Sequence, residues 1–308
     1  MDHNTTDEKE SQRERSRRRR FEIRRRRQKR KLQMIGVIAG AAVIICGIGV
    51  WNAVHKEEGK NISPAAAADK VSAQKNKKVK KEEKSPEELR AEEIAKVKEE
   101  AAAAGCPQSM IDLIDKNDET LDFVRDFSSK KDVPVAETIG DAPEAGVIPH
   151  LLQWDERWGY APYGSSTIAA SGCGPTCISM VIAGLTGDVT ATPYKLAKFS
   201  EENGYIDEEN GTYWAFLTNA ASGWGISCQE TMLDESMVQQ ELEAGHPIIC
   251  NVGPGDFTQV GHYIILTGYS DGNVTVNDPF SNRNTEKTWV YADIAGQVKG
   301  MWVYSVSE

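Results

Sequence analysis

Basic residues are scarce in the second half of this 308-residue chain. Residues 141–308 hold 6 Lys and Arg against 21 Asp and Glu, a net of −15. That balance makes this part a poor partner for nucleic acid or anionic wall polymers. No internal repeat is visible, which sets aside repeat architectures. Gly253-Pro254-Gly255 lacks the lysine and the following helix of a phosphate loop, so no nucleotide is expected. Cys173 and Cys177 have no nearby His or Cys pair at ligand spacing, so neither a metal nor any other cofactor is expected. Nor do the six cysteines make a disulfide framework. Cys46 falls in an apolar run, Cys106 in a helical region, and Cys177 one turn after Cys173 on the core side. Cys228 and Cys250 sit in apolar strand-like segments, where two buried free thiols are favoured over a pair.

Charge is missing altogether from Met34 to Val54, 21 residues that as a helix would span about 30 Å, the thickness of a bilayer core. Residues 1–33 hold 14 Lys and Arg against 6 Asp and Glu, and thirteen of the basic residues lie between Arg13 and Lys31. The positive-inside rule keeps such a flank in the cytoplasm. Trp51-Asn52-Ala53-Val54-His55 is not a small-x-small cleavage site, so an uncleaved signal-anchor is expected, single-pass and type II, at the cell membrane. The C-terminal domain would then be extracytoplasmic. Arg-rich residues 17–31 lack aromatics and read as a topology signal touching anionic inner-leaflet lipid, not as a nucleic-acid site. Residues 55–84, rich in Lys, Ala and Glu with no aromatic, are expected to be a disordered linker reaching at most about 100 Å.

Ser85-Pro86-Glu87-Glu88 opens a helix: a capping serine, proline at the first position and acids in the first turn. The helix should stop at Gly105, with two shorter amphipathic ones following over Gln108–Asp115 and Glu119–Phe127. Residues 85–140 are thus expected to be a helical stalk whose apolar stripes need a partner, most simply the domain at 141–308. That domain reads as α+β. Helices open at Cys173 and at Thr192-Pro193, and run over Thr212–Ala221 and Asp234–Ala244. Strands are expected at Ile248–Val252, His262–Tyr269, Val274–Asn277, Thr288–Tyr291 and Met301–Val306. A helix-rich first half and a sheet-rich second half imply a cleft between two lobes.

The chemistry is concentrated in three residues. Cys173 lies at a helix start, where exposed N–H groups and the helix dipole favour a thiolate. Pro175 fits a first turn, because no N–H is needed there. Eighty-nine residues on, His262 heads an apolar strand, and sixteen further comes Asp278, followed by Pro279. A thiolate attacking an acyl carbon needs a histidine to hold and return the proton, and a third group to orient the imidazole. Cys173, His262 and Asp278 can take these roles, with Asn277 as a second candidate for the last. Parity favours Asp278 over Asn277. A five-residue loop, Gly268 to Gly272, would pair Leu266 with Val274, Ile264 with Val276 and His262 with Asp278 on one apolar face. A two-residue Asp271-Gly272 turn would instead set the histidine with Asn277.

Four stretches carry a resemblance: Gln153-Trp154-Asp155-Glu156-Arg157-Trp158-Gly159-Tyr160, Ser171-Gly172-Cys173-Gly174-Pro175-Thr176, Gly261-His262-Tyr263-Ile264-Ile265-Leu266-Thr267-Gly268-Tyr269, and Val276-Asn277-Asp278-Pro279. With these, residues 147–308 resemble the peptidase-like domains related to the bacteriocin-processing (double-glycine) peptidases of the papain clan. Glu119-Thr120-Leu121-Asp122-Phe123-Val124 resembles the helical segment that often precedes such domains in exported Gram-positive proteins. The resemblance implies a papain-like two-lobed fold and cysteine peptidase chemistry, with Cys173 as nucleophile, His262 as base and Asp278 as orienter. Clan members commonly have an oxyanion-hole glutamine six residues before the cysteine; here Thr167 stands there. Gln153 is the alternative donor, or else it caps a structural loop beside Trp154 and Trp158. No stretch resembles the transporter that accompanies true bacteriocin-processing peptidases. Two readings follow: a membrane-anchored extracytoplasmic cysteine peptidase acting on a peptide, protein or cell-wall peptide, or an idle surface module keeping the cleft for binding.

Overall fold

The computed structural model describes residues 84–232 and 234–307. The basic tail 1–33 and the charge-free segment 34–54 with Cys46 lie outside the described residues, as does the linker but for Lys84. Among the described residues no helix is long and apolar enough to cross a membrane.

The chain first builds helices α1 (Pro86–Ala103), α2 (Gln108–Ile111), α3 (Leu113–Lys116), α4 (Leu121–Arg125) and α5 (Phe127–Lys130). Ser85 caps α1 in a reciprocal box with Glu88, which satisfies orphan N–H groups at both ends of the exchange. The segment expected as one helix from Gln108 to Asp115 is two turns joined at Asp112, and Glu119 lies in a 3-10 turn, Asp118–Thr120, before α4. Met110, Ile111, Leu113, Ile114, Leu121, Phe123, Val124 and Phe127 all point inward across these breaks. These side chains form a core with Ala169, against which Trp154, Tyr160 and Phe280 of the following domain pack. Tyr160 stacks on Phe123 at 4.2 Å and donates from its hydroxyl to the Phe123 carbonyl at 2.7 Å. The stalk is therefore docked onto the domain by shared apolar surface.

Next come a short hairpin, β1 (Pro162–Tyr163) and β2 (Ser166–Thr167), then α6 (Ile168–Ser171), α7 (Cys173–Thr186), α8 (Pro193–Glu202) and α9 (Trp214–Ala221). Strand β3 (Ile226–Glu230) leads to α10 (Glu235–Glu243). It is followed by β4 (Ile248–Val252), β5 (His262–Ser270), β6 (Asn273–Asn277), α11 (Asn282–Thr285), β7 (Thr288–Val290), α12 (Tyr291–Ala295) and β8 (Val298–Val306). The six longer strands make one antiparallel sheet in the order β3-β8-β4-β5-β6-β7. One face packs on α7, α8 and α9 through Ile226, Ile249, Tyr263, Ile265, Trp302 and Tyr304. The other packs on α10 and α12 through Ile248, Cys250, Ile264, Leu266, Val274, Val276 and Met301. The architecture is mixed α+β, with both sheet faces covered. Strand β8 separates the strands carrying Cys228 and Cys250, and all five cysteines of the described residues are free thiols.

The β5–β6 hairpin departs from the five-residue loop. Ser270 pairs with Asn273 across a two-residue Asp271-Gly272 turn, whose φ values of 50° and 78° are those of the tight turn that matches strand twist. Such a turn alone would put His262 on the face of Asn277. A bulge between Leu266 and Gly268 inserts one residue, Thr267, and restores the parity: Leu266 pairs with Val276 and Ile265 with Asn277. Expectation and structure thus agree on which residues share a face but differ on the device and on the partners. Leu266 pairs with Val276 and not Val274, and Val274 pairs with Tyr269, so the expected pairings of Ile264 with Val276 and of His262 with Asp278 do not form. Asp278 continues the face of Val274 and Val276, while Asn277 points to the other side and donates to the carbonyls of Ile148 and Pro149 at 3.0 and 3.1 Å.

Candidate active site

Cys173 is the first residue of α7, half-buried on the wall of a cleft. The glycines beside it are set by close approach. A Cβ on Gly172 would meet Ile168 Cγ2 and the Ile168 carbonyl at 2.6 Å, and one on Gly174 would meet Thr212 Cγ2 at 3.0 Å. The bend at Gly172 between α6 and α7 brings the thiol out at the helix start, where the dipole favours negative charge. Cys177, one turn on, is fully buried, and its Sγ lies 3.5 Å from the Tyr263 carbonyl. Burial pushes its thiol well above the usual range. Cys177→Ala should leave Cys173 reactivity unchanged and destabilise the fold by about 1–2 kcal/mol through a small void, read by chemical unfolding.

His262 opens β5, and only 8% of it is exposed. Its Nε2 lies 2.8 Å from Asp278 Oδ1, which assigns the proton on Nε2 as the donor and leaves Nδ1 for the thiol. The Cys173 side chain lines the same cleft and stands near enough to bear on the charge of the ring. Burial pulls the imidazole pKa down, but the Asp278 charge and hydrogen bond, with the Cys173 sulfur, outweigh it and lift it to about 10. Asp278 is 1% exposed. Burial would raise its carboxyl, and the facing imidazolium and hydrogen bonds hold it below the usual value. Those bonds come from Asn284 Nδ2 to Oδ2 and from the Phe280 N–H to Oδ1, both at 2.8 Å. The Asp278 N–H donates to Thr285 Oγ1 at 2.9 Å, and His150 Nε2 lies 2.8 Å from the Asp278 carbonyl.

Gln153 is buried, yet it borders the cleft. Its backbone N–H donates to the Pro279 carbonyl and its Nε2 to the Ala169 carbonyl, both at 2.7 Å. Its Oε1 has no partner. A flipped amide would set Oε1 against the Ala169 carbonyl, so the donor side must face α6, leaving one amide hydrogen uncommitted. Thr167, six residues before Cys173, belongs to β2 and is not among the cleft-lining residues.

The cleft has a volume of about 990 Å³. Cys173, Gln153 and His262 all line it, with residues of the loops at 255–261 and 280–287 and of the stalk at 113–117 completing the wall. Asn284, Thr285, His150 and the stalk wall were missed in the sequence. A signal did exist for the first two: Ser281 caps Asn284 at 3.2 Å, a capping serine three residues after the aspartate. A thiol and an imidazole on one cleft, with a buried carboxylate bonded to the imidazole, are the groups needed to pass a proton between sulfur and nitrogen while the positive charge is held.

Residues 147–307 match the model of the Peptidase_C39 like family. No curated protein matches the chain. Among solved structures, the peptidase domain of Streptococcus ComA, a bi-functional ABC transporter involved in a quorum sensing pathway, is 16% identical, with 45% of this chain and 93% of that chain covered and a TM-score of 0.37. A putative C39-like peptidase from Bacillus anthracis is 14% identical over 53% of this chain and 97% of its own, with a TM-score of 0.36. A double glycine motif protease from an AMS/PCAT transporter, solved in complex with the leader peptide, is 16% identical over 56% and 98%, with a TM-score of 0.34.

Proposed function

The chain belongs to the Peptidase_C39 like family, and from that premise we propose that it is a cysteine peptidase, anchored in the membrane by residues 34–54 and acting outside the cytoplasm. The observation that carries the reading is the 2.8 Å contact between His262 Nε2 and Asp278 Oδ1 in a cleft that Cys173 also lines. Cys173 Sγ attacks the carbonyl carbon of a peptide bond and its proton passes to His262 Nδ1. Charge builds on the carbonyl oxygen, for which the free amide hydrogen of Gln153 and the Cys173 N–H at the helix start are the donors. The imidazolium returns the proton to the leaving amine, and a thioester acyl-enzyme remains. Water, deprotonated by His262, then releases the acid. Asp278 holds the tautomer and the positive charge throughout.

The substrate is a peptide, a protein or a cell-wall peptide met at the cell surface. Comparing the protein N-termini of cells carrying wild-type protein with those carrying Cys173→Ala tests the reading: cleavage products present only in the wild type support it, and identical N-termini favour a binding module. Topology has its own check. Protease added to intact cells or protoplasts should digest the C-terminal domain and spare a tag placed before Arg13. Protection of the C-terminal domain would place it in the cytoplasm.

A further inference from the structure

The loop that carries the orienting carboxylate is gripped from outside the family-matched region. Glu119 precedes α4 in the stalk, and its side chain is 14% exposed. Its Oε1 accepts from Ser281 Oγ at 2.9 Å and from the N–H and Nε of Arg283 at 3.3 and 3.0 Å. Its Oε2 accepts from the Asn282 N–H at 2.9 Å. Two residues earlier, Asn117 Nδ2 donates to the Phe280 carbonyl at 2.7 Å, and Asn117 Oδ1 accepts from Arg283 Nη2 at 2.9 Å. Residues 117 and 119 therefore hold the whole turn 280–283.

That turn leads directly to the carboxylate. Asn284 Nδ2 bonds Asp278 Oδ2, Thr285 Oγ1 accepts from the Asp278 N–H, and the Phe280 N–H bonds Asp278 Oδ1. Other stalk ion pairs are different in kind: Arg125 meets Glu93 and Asp122 at the surface, where all three are more than a third exposed. A docking contact needs only the apolar core shared by Phe123 and Tyr160. A half-buried carboxylate with four donors drawn from three consecutive residues does more, because charge-assisted bonds fix geometry as well as attachment.

We infer that Glu119 is a positioning residue of this site, setting Asp278 against His262 through the 281–285 turn, so that the working unit begins in the stalk and not at residue 147. The inference rests on the reading of Asp278 as the group that holds His262. Without the clamp, the turn relaxes, Asp278 loses its fixed partners, and the imidazolium that stabilises the Cys173 thiolate is held less firmly. Cys173 should then react more slowly near neutral pH and recover at alkaline pH, where thiolate forms unaided.

Site-resolved alkylation of the full-length protein by iodoacetamide, followed at Cys173 by mass spectrometry from pH 5 to 10, tests this. At pH 7, Glu119→Ala should slow alkylation by at least about fivefold, His262→Ala by more, and the surface variant Arg125→Ala by less than about twofold, with the Glu119→Ala deficit closing as pH rises. Glu119→Gln keeps the shape but turns an amide donor toward the Asn282 N–H, so it too should be slow; it carries the test if Glu119→Ala fails to fold. A folded Glu119→Ala or Glu119→Gln protein with the wild-type profile would overturn the inference while leaving the Cys173–His262 pair standing. Wild-type Cys173 reacting no faster than in His262→Ala would instead overturn the pair itself, and the clamp's role with it.

Discussion

Replacing Cys173 by alanine should abolish turnover while the protein stays folded. The acyl-enzyme of the proposed cycle forms on its sulfur and is released from it. The loss should reach about 1,000-fold or more in kcat, with His262→Ala costing as much and the double variant little further, because the pair acts as a unit. The fold should tolerate the change. Cys173 sits half-buried at the cleft wall, on a helix start fixed by Gly172 packing on Ile168 and Gly174 on Thr212, and its side chain makes little of the core. Hydrolysis of a cleaved sequence found by the N-terminus comparison, followed beside thermal unfolding, checks both halves. More than a few per cent of wild-type turnover in Cys173→Ala would move the nucleophile elsewhere.

Asp278→Ala should lower kcat by about 100-fold or more, whereas Asn277→Ala should stay within a few-fold of wild type and lose stability instead. The two side chains leave the strand end on opposite faces. Asp278 bonds the His262 ring, and Asn277 ties the strand to the carbonyls of Ile148 and Pro149. Asp278→Asn separates orientation from charge, since Oδ1 can still accept from His262 while the negative charge is gone. Its expected effect is a smaller drop in kcat and an alkaline limb that moves to lower pH.

The direction follows from the titrations. His262 is raised from 6.5 to about 10, so its contribution to stability is complete below pH 6.5 and fades as pH climbs through about 10. Asp278 is lowered from 3.8, so its contribution is complete above that value and fades only as pH falls through the lowered one. Both variants should narrow this window from its alkaline side, and pH–rate profiles with chemical unfolding at each pH measure it. Equal kcat values for the Asp278 and Asn277 alanine variants would refute the assignment.

The order of nucleophile, base and carboxylate was legible because each has a local cause: Pro175 and an apolar run after Cys173, a glycine before His262, a proline after Asp278. The register was less so. Strand β5 is apolar at both Ile264 and Ile265 because the sheet is covered on both faces, and alternation then cannot mark where a residue is inserted. Hence alternation points to a longer loop where the Asp271-Gly272 turn forms, and the bulge at Thr267 leaves no mark in the sequence. Helix α11 is four polar residues long, too short for any period to show, although it carries Asn284. The Glu119 clamp joins residues more than 160 positions apart, and only the folded chain brings them together.

The central claim is that Cys173 is an activated nucleophile made so by His262. It is tested most directly with a fluorescent acyloxymethyl ketone, which mimics an acyl substrate and is trapped only by a reactive thiolate, applied to the full-length protein and mapped by mass spectrometry. The account predicts a single labelled residue, Cys173, with labelling lost in His262→Ala and sharply reduced in Asp278→Ala. Labelling that is absent from the wild type, or unchanged in His262→Ala, would contradict it and leave a papain-like cleft that binds without cutting.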